Sequence, residues 1–228
     1  MKLFPKINFI HFGNNSIDLY FMKHMKCLMI LITIILLVQN DIDISKMIVI
    51  YYTRTGNTGL FVDYIKECIN ITTYQINPVT PYPLDSKELS PILTREREYN
   101  LRPQIINPLT NINDYDKILV GFPIWTSHVP NIVYTQLLKL NFAGKVIYPF
   151  NTHEGSEAGS SFGDVMLHTP GGIVKKGVSI RGSVIRSNKK ESLKIIQKWL
   201  HENFGYVYDC ENKLKFKFMS IIVFIFLL

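Results

Sequence analysis

The chain lacks the residues and patterns that would place it in several common classes. It contains three cysteines in 228 residues, Cys27, Cys68 and Cys210, too few and too scattered for a disulfide framework or a zinc site. Cys68 is therefore expected to pack in a core, and a reducing compartment is compatible with this count. The sequence has no Ser-His-Asp arrangement, metal-ligand cluster or carboxylate pair, so we predict no catalytic side chain and no metal site.

A clustered basic surface is also missing. Lys and Arg number 25 against 18 Asp and Glu, which gives a formal net charge of +7. The basic residues are nevertheless dispersed along the chain, and Lys189, Lys190, Lys194 and Lys198 fit the solvated face of one helix. The sequence therefore predicts no nucleic-acid partner.

The apolar segment near the N-terminus is shorter than the roughly 20 residues that a membrane-spanning helix needs. It covers residues 27–38 and follows Lys23 and Lys26. Its composition fits the apolar part of a secretion signal, but no small-x-small cleavage site follows it. Two alternatives stay open: export or membrane association through residues 23–38, or translation that begins at Met47.

These features divide the chain into three predicted parts. They are an N-terminal extension at 1–46, a domain at 47–209 and an apolar tail at 210–228. From residue 218 onward the tail is apolar except for Ser220. It is either a short membrane-contacting segment or the product of a gene end that has drifted.

The most informative feature that is present is a polar loop between an apolar run and an amphipathic segment. Residues 47–52 are apolar, and the spacing of the apolar residues in 60–69 predicts one stripe of a helix. Backbone N–H groups at a helix start have no intrahelical partner, and this geometry favours phosphate. The loop comprises Thr53, Arg54, Thr55, Gly56, Asn57 and Thr58. The alternative is an ordinary strand–helix turn with Asn57 as N-cap.

Two well-known phosphate loops are excluded by what this loop lacks. A nucleotide triphosphatase loop requires Gly-x-x-x-x-Gly-Lys-Ser/Thr, and no lysine follows here. A dinucleotide loop requires three glycines, and only Gly56 and Gly59 are present. A hydroxyl-rich loop without lysine instead suits the single terminal phosphate of a ligand that other contacts also hold.

The rest of the domain alternates between apolar runs and amphipathic segments, which predicts a parallel sheet covered by helices on both faces. The predicted strands are 47–52, 72–76, 117–122, 145–150 and 174–181. The predicted helices are 57–69, 131–140, 159–168 and 189–204. A further helix at about 85–100 is expected inside the proline-rich connection 77–114.

Three motifs in order resemble the flavodoxin-like family. Residues 52–58 resemble its FMN phosphate loop, 115–125 its third strand and first flavin loop, and 144–156 its fourth strand and second flavin loop. The resemblance covers roughly 47–209. It implies a flavodoxin-like, doubly wound α/β fold with a five-stranded parallel sheet in the order 2-1-3-4-5, with the ligand between strands 1 and 3.

The resemblance also implies the residues that would hold FMN. They are Thr53, Arg54, Thr55, Gly56, Asn57 and Thr58 for the phosphate, Pro123, Ile124, Trp125 and Thr126 beside the ring, and Thr152, His153, Glu154, Gly155 and Ser156 at its pyrimidine edge. Arg54 occupies a variable position, so its side chain is expected to face solvent. Trp125 is expected to shield the flavin, and the alternative is that it packs on the 77–114 connection. His153 is expected to be a solvated loop residue, and Glu154 stands where relatives commonly have glycine.

As a function, the resemblance implies an FMN-binding flavoprotein of electron transport or oxidoreduction. One alternative is an FMN-dependent reductase of a small acceptor such as a quinone, and the residues do not decide between enzyme and carrier. Another is a non-catalytic, membrane-tethered binding module. The expected partner is a redox protein or an NAD(P)H-linked reductase, and the expected location is cytoplasmic unless the terminal apolar segments contact a membrane.

Overall fold

The computed structural model describes residues 23–30, 44–205, 207–210 and 214–216. The chain forms two compact units, Met1–Ile42 and Asp43–Leu228. In the first unit, residues 23–30 are helical, and most of the apolar segment 27–38 lies outside the described residues, as does the apolar end of the tail. Within the described part of the chain, no helix combines the length and the apolar character needed to cross a bilayer.

The second unit is built on a parallel sheet with the strand order β2-β1-β3-β4-β5. The strands are β1 (Met47–Tyr51), β2 (Thr72–Gln75), β3 (Lys117–Pro123), β4 (Val146–His153), β5 (Ile173–Val174) and β6 (Val178–Arg181). This order confirms the predicted flavodoxin-like topology. Strands β1 and β3 lie inside the sheet, and their register pairs Ile48 with Ile118 and Ile50 with Val120.

The prediction of one last strand at 174–181 is wrong in detail. Two short strands occupy this span, and both pair with β4: β5 near its start and β6 near its end. The apolar pattern is interrupted by Lys175 and Lys176, and the backbone of Gly177 approaches the Phe162 ring so closely that a Cβ would lie 2.5 Å from it. The interruption leaves β6 free to end at the same edge of the sheet as β1, β3 and β4.

Six helices follow the strands of this unit within the described residues. They are α1 (Asn57–Cys68), α2 (Ser86–Glu98), α3 (Asn131–Leu137), α4 (Ser161–His168), α5 (Gly182–Ser187) and α6 (Lys189–Phe204). The Asp85 side chain caps α2, as a residue with β-region backbone and a short acceptor side chain does. Helix α5 was not predicted, because it is short and directly follows a strand.

Both faces of the sheet are buried. On one face, Phe61 of α1 and Trp199 of α6 contact Phe150 of β4. On the other face, Ile48 and Val120 belong to a core that also includes side chains of α3 and of the 77–114 connection. Successive strand residues point to opposite faces, so burial on both sides requires the continuous apolar runs of β1 and β3.

A disulfide joins Cys68 at the end of α1 to Cys210, 142 positions further along the chain. The expectation that Cys68 simply packs in a core is therefore incomplete, since this buried side chain is also covalently paired. Three widely spaced cysteines gave no framework pattern, and only the fold brings these two together. Residue 210 follows the first strand of an antiparallel pair, β7 (Val207–Asp209) and β8 (Leu214–Phe216).

Candidate functional site

The predicted phosphate loop leaves β1 and runs directly into α1. Gly56 has φ +90°, a left-handed conformation that glycine adopts without steric cost, and its N–H donates to Thr53 Oγ1 at 3.1 Å. Helix α1 begins at Asn57, and no side chain caps it. The interpretation of Asn57 as N-cap is therefore wrong, because the N-cap residue is Gly56. Among the described residues, no side chain caps the N–H groups of the first turn, as anion binding at a helix start requires.

Three loops and one helix surround a cleft of about 270 Å³ at the carboxyl ends of β1, β3 and β4. It is lined by Thr53, Arg54, Thr55, Asn57, Thr58, Pro123, Ile124, Trp125, Thr152, His153, Glu154 and Arg186. The structure thus brings together most residues from all three predicted motifs. Four predicted residues are not among the lining residues: Gly56, Thr126, Gly155 and Ser156.

The floor of the cleft is fixed by a contact between two hydroxyl groups. Thr58 Oγ1 and Thr152 Oγ1 lie 2.9 Å apart, and both residues are almost fully buried. This hydrogen bond ties the first turn of α1 to the end of β4. The Thr55 side chain is exposed, and among the described residues its hydroxyl has no hydrogen-bond partner, so Thr55 retains its donor for a ligand.

An ion pair closes one side of the cleft above the start of α1. Arg186 Nη1 donates to Glu154 Oε1 and to Asn57 Oδ1, each at 2.9 Å. A Cβ on Gly182 would lie 2.5 Å from the Asn57 amide nitrogen, so α5 approaches the start of α1 closely. Sequence reasoning missed Arg186 because it lies outside the three motifs. A sequence signal for Arg186 does exist. In a parallel sheet the last strand ends at the same edge as β1, β3 and β4, so polar residues that follow it are candidates for the site.

Arg54 does not face solvent as expected. Its guanidinium donates to the carbonyl oxygens of Pro83 at 2.8 Å and Leu84 at 3.1 Å. The side chain therefore fastens the 77–114 connection to the loop, and only part of it lines the cleft. The residue at the variable position of the motif thus joins two segments of the chain.

Trp125 packs on the 77–114 connection and also lines the cleft. Its ring makes edge-to-face contacts with Tyr52 at 5.6 Å and Tyr82 at 4.9 Å between centroids. The Tyr82 hydroxyl donates to the Glu96 carboxylate, at 2.8 and 3.0 Å from its two oxygens. Burial raises the pKa of Tyr82 and of Glu96, since each ionised form would lose water contacts. The alternative that Trp125 packs on the 77–114 connection is therefore correct, and its expected role beside a flavin stays a prediction.

A tight turn follows Trp125. Trp125 and His128 exchange two backbone hydrogen bonds of 3.0 Å, and the two residues between them, Thr126 and Ser127, have φ of +48° and +67°. Positive φ at both central positions defines a turn that favours glycine and asparagine, and it is strained for a β-branched residue. Arg97 Nη1 donates to Thr126 Oγ1 at 3.0 Å and so supports the turn from α2.

His153 organises its own loop. Its Nδ1 accepts the backbone N–H groups of Gly155 and Glu157, both at 3.0 Å, so the ring proton is on Nε2. Burial lowers the pKa of His153, because the neutral ring is the form that fits this partly enclosed position. The side chain is an acceptor that shapes the loop, unlike the solvated residue that the sequence indicated.

The fold and the cleft define a doubly wound α/β protein with a candidate ligand site at the carboxyl ends of its central strands. A family model described as flavodoxin matches residues 46–201, more than half of the chain, and the chain therefore belongs to the flavodoxin family. This confirms the resemblance that the three motifs indicated. No curated protein sequence matches the chain significantly.

Solved structures agree with this assignment. A protein described as a flavoprotein from Bacteroides uniformis ATCC 8492 is 26% identical, with 67% of this chain and 97% of that chain covered and a TM-score of 0.57. Another, from Bacteroides eggerthii DSM 20697, is 27% identical, with coverages of 63% and 94% and a TM-score of 0.53. A flavoprotein from Lactobacillus acidophilus NCFM, solved in complex with FMN, is 21% identical, with coverages of 64% and 99% and a TM-score of 0.50, and shares the fold.

Proposed function

We propose that this chain binds FMN in the cleft between β1 and β3 and takes part in electron transfer. The observation that carries the proposal is the uncapped start of α1, where free N–H groups meet a hydroxyl-rich loop. The FMN complex of the Lactobacillus acidophilus protein, which has the same fold, supports the choice of cofactor. Bound FMN supplies the redox chemistry, and the protein supplies binding, orientation and electrostatic environment.

The donor set fits a phosphate. The hydroxyls of Thr53 and Thr55, the Asn57 amide and the first-turn N–H groups provide neutral donors, and Arg186 adds a positive charge within reach of Asn57. Among the described residues that line the cleft, Glu154 is the one acidic side chain, and its carboxylate is paired with Arg186. This pairing offsets its repulsion of a phosphate dianion.

The ring side of the cleft offers a different chemistry. Pro123, Ile124 and Trp125 present apolar surface, which suits a flat aromatic group. His153 lies at the end of β4, where backbone and side-chain groups can hold a polar ring edge. A ligand with a phosphate at one end and an aromatic ring at the other matches this division, as FMN does.

The proposal is tested by adding FMN to the purified full-length chain and recording the visible spectrum and flavin fluorescence. A protein that neither carries nor takes up flavin would refute the proposal. Thr55→Ala should weaken FMN binding about tenfold or more and change riboflavin binding by less than about twofold, because a hydrogen bond to a charged group is lost. Thr94→Ala, at an exposed position of α2, is the matched control. Equal losses for FMN and riboflavin would show that the loop does not hold phosphate.

The electron acceptor distinguishes two versions of this function, an electron carrier and a reductase of a small molecule. If the protein is a carrier, its reduced flavin should pass electrons to a redox protein and only slowly to a small quinone. If it is a reductase, NADPH and a quinone together should support steady turnover at catalytic protein concentrations. Stopped-flow absorbance of the bound flavin distinguishes these outcomes.

A further inference from the structure

A second cleft, of about 190 Å³, lies beside the candidate cofactor cleft and shares Trp125 with it. Its walls come from α2 and the segment that follows it, from the turn at 125–128, from α3 and from the end of α4. No predicted motif and no part of the proposed FMN site explains the cationic groups on these walls.

Two guanidinium groups converge on this cleft. Arg97 comes from α2 and donates to Thr126, while Arg102 donates to the carbonyl oxygens of Asn100 and Leu101 at 3.4 and 3.2 Å. Both side chains are thus held in place by neutral oxygens. Within the described residues, neither forms an ion pair with a carboxylate. Each guanidinium has five N–H donors, so several remain available to an anion.

The floor of the cleft is aromatic. The rings of Tyr134 and His168 stack with 3.7 Å between centroids and 12° between planes, and the Arg102 guanidinium lies 5.3 Å from the Tyr134 centroid. Trp125 and Val129 add apolar surface at the sides. Tyr134 is itself buried beneath its neighbours, so a flat apolar group can lie against the partly exposed rings of Trp125 and His168 while a charged group reaches the arginines.

The acidic groups near the cleft are engaged elsewhere. The Glu96 carboxylate accepts the Tyr82 hydroxyl in the core. Asp164 Oδ2 accepts from the backbone N–H of Val129 at 3.2 Å and lies 2.9 Å from His128 Nδ1. Burial and the nearby Asp164 raise the pKa of Tyr134, so its hydroxyl stays protonated. The cleft therefore presents positive charge and donors over an aromatic floor.

We propose that this second cleft binds a small carboxylate with a flat apolar body, such as a one-ring aromatic acid. The two guanidiniums hold the carboxylate, and the Tyr134–His168 stack and Trp125 hold the ring. The volume suits a molecule of this size, since pockets for drug-sized ligands occupy about 300–1,000 Å³. The site is independent of the FMN proposal, because it is built from different residues apart from Trp125.

The test uses the full-length chain and three probes: benzoate, benzamide and acetate. Isothermal titration calorimetry, with and without added FMN, should give saturable binding of benzoate in both states. Benzamide has the ring without the charge, and acetate has the charge without the ring, so each should bind at least about tenfold more weakly. Absence of saturable benzoate binding, or displacement of benzoate by FMN, would overturn the assignment of a separate site.

Substitutions identify the binding residues. Arg102→Gln and Arg97→Gln should each weaken benzoate at least about tenfold, and Arg102→Lys should recover part of the loss. The control is Arg95→Gln, which changes an exposed residue of α2 that does not line the cleft. This variant should bind benzoate like the unmodified chain. Circular dichroism verifies folding of each variant. An equal loss in Arg95→Gln, or no loss in a folded Arg102→Gln protein, would refute the proposal.

Discussion

Replacing Glu154 by glutamine should tighten the binding of FMN. The Glu154 carboxylate lies 3.4 Å from the Asn57 amide and 2.9 Å from Arg186, so it stands beside the start of α1, where we propose the phosphate binds. If Asn57 contacts both the Glu154 carboxylate and the FMN phosphate, these two negative groups lie roughly 6 Å apart, which is two hydrogen-bond lengths. Glutamine keeps the size and one acceptor oxygen of the side chain and removes only the charge.

The magnitude follows from Coulomb's law. The Glu154 side chain is 56% exposed, so the dielectric constant of water applies, and a unit pair at about 6 Å costs about 0.7 kcal/mol. A phosphate carries a charge of about −1.5 to −2, and physiological salt reduces the repulsion about twofold at this distance. The net effect is about 0.5–0.7 kcal/mol, which corresponds to a two- to threefold tighter dissociation constant.

Fluorescence titration of Glu154→Gln with FMN and with riboflavin, at low and high salt, measures this effect. The gain should appear for FMN alone and should shrink at high salt. Glu157→Gln removes the same charge from the same loop but outside the cleft, and it should change the FMN affinity little. An unchanged or weaker affinity for FMN, or an equal gain for riboflavin, would refute the reasoning about this carboxylate.

Three further outcomes are expected. The folded-state pKa of His153 lies below its ordinary value of 6.5, so the stabilisation that depends on its neutral ring is complete above pH 6.5. This stabilisation is lost as the pH falls through 6.5 and then through the lowered pKa. Urea unfolding from about pH 8 to about pH 5 should therefore show a falling free energy of unfolding, and His153→Gln should show a smaller dependence on pH. Ser127→Gly should raise the free energy of unfolding by up to about 1 kcal/mol, because glycine tolerates φ of +67°; a decrease would mean that the turn is not strained. Reduction of the disulfide should lower the free energy of unfolding by about 2–4 kcal/mol, whereas a Cys210→Ser protein should not respond to reductant.

The central strands and the strand–loop–helix arrangement at 47–68 could be predicted because their signals are local. An apolar run such as Met47–Tyr51 must be buried on both faces, and a glycine before an amphipathic segment indicates how the helix starts. The strand order came from the resemblance of three motifs to a known family. Each apolar run and each motif is a short stretch of consecutive residues, so it can be recognised without the fold.

The contacts that the sequence did not reveal join residues far apart in the chain. Arg186 meets Asn57 across 129 positions, and Arg54 meets Pro83 only because the connection folds back over the loop. The two guanidiniums of the second cleft lie five positions apart, but the cleft that both line is also formed by residues of α3 and α4. Periodicity and motif spacing do not indicate which surfaces meet, so these contacts could be found only in the folded structure.

The covalent link from Cys68 to Cys210 encloses most of the sheet in one closed circle of chain. A protease that cuts once inside this circle, for example near Leu84 or Tyr99, which are 74% and 70% exposed, would not release a fragment. The two halves would migrate together on a non-reducing gel and separate only after reduction. The protein can therefore lose the continuity of the 77–114 connection and still remain a single molecule.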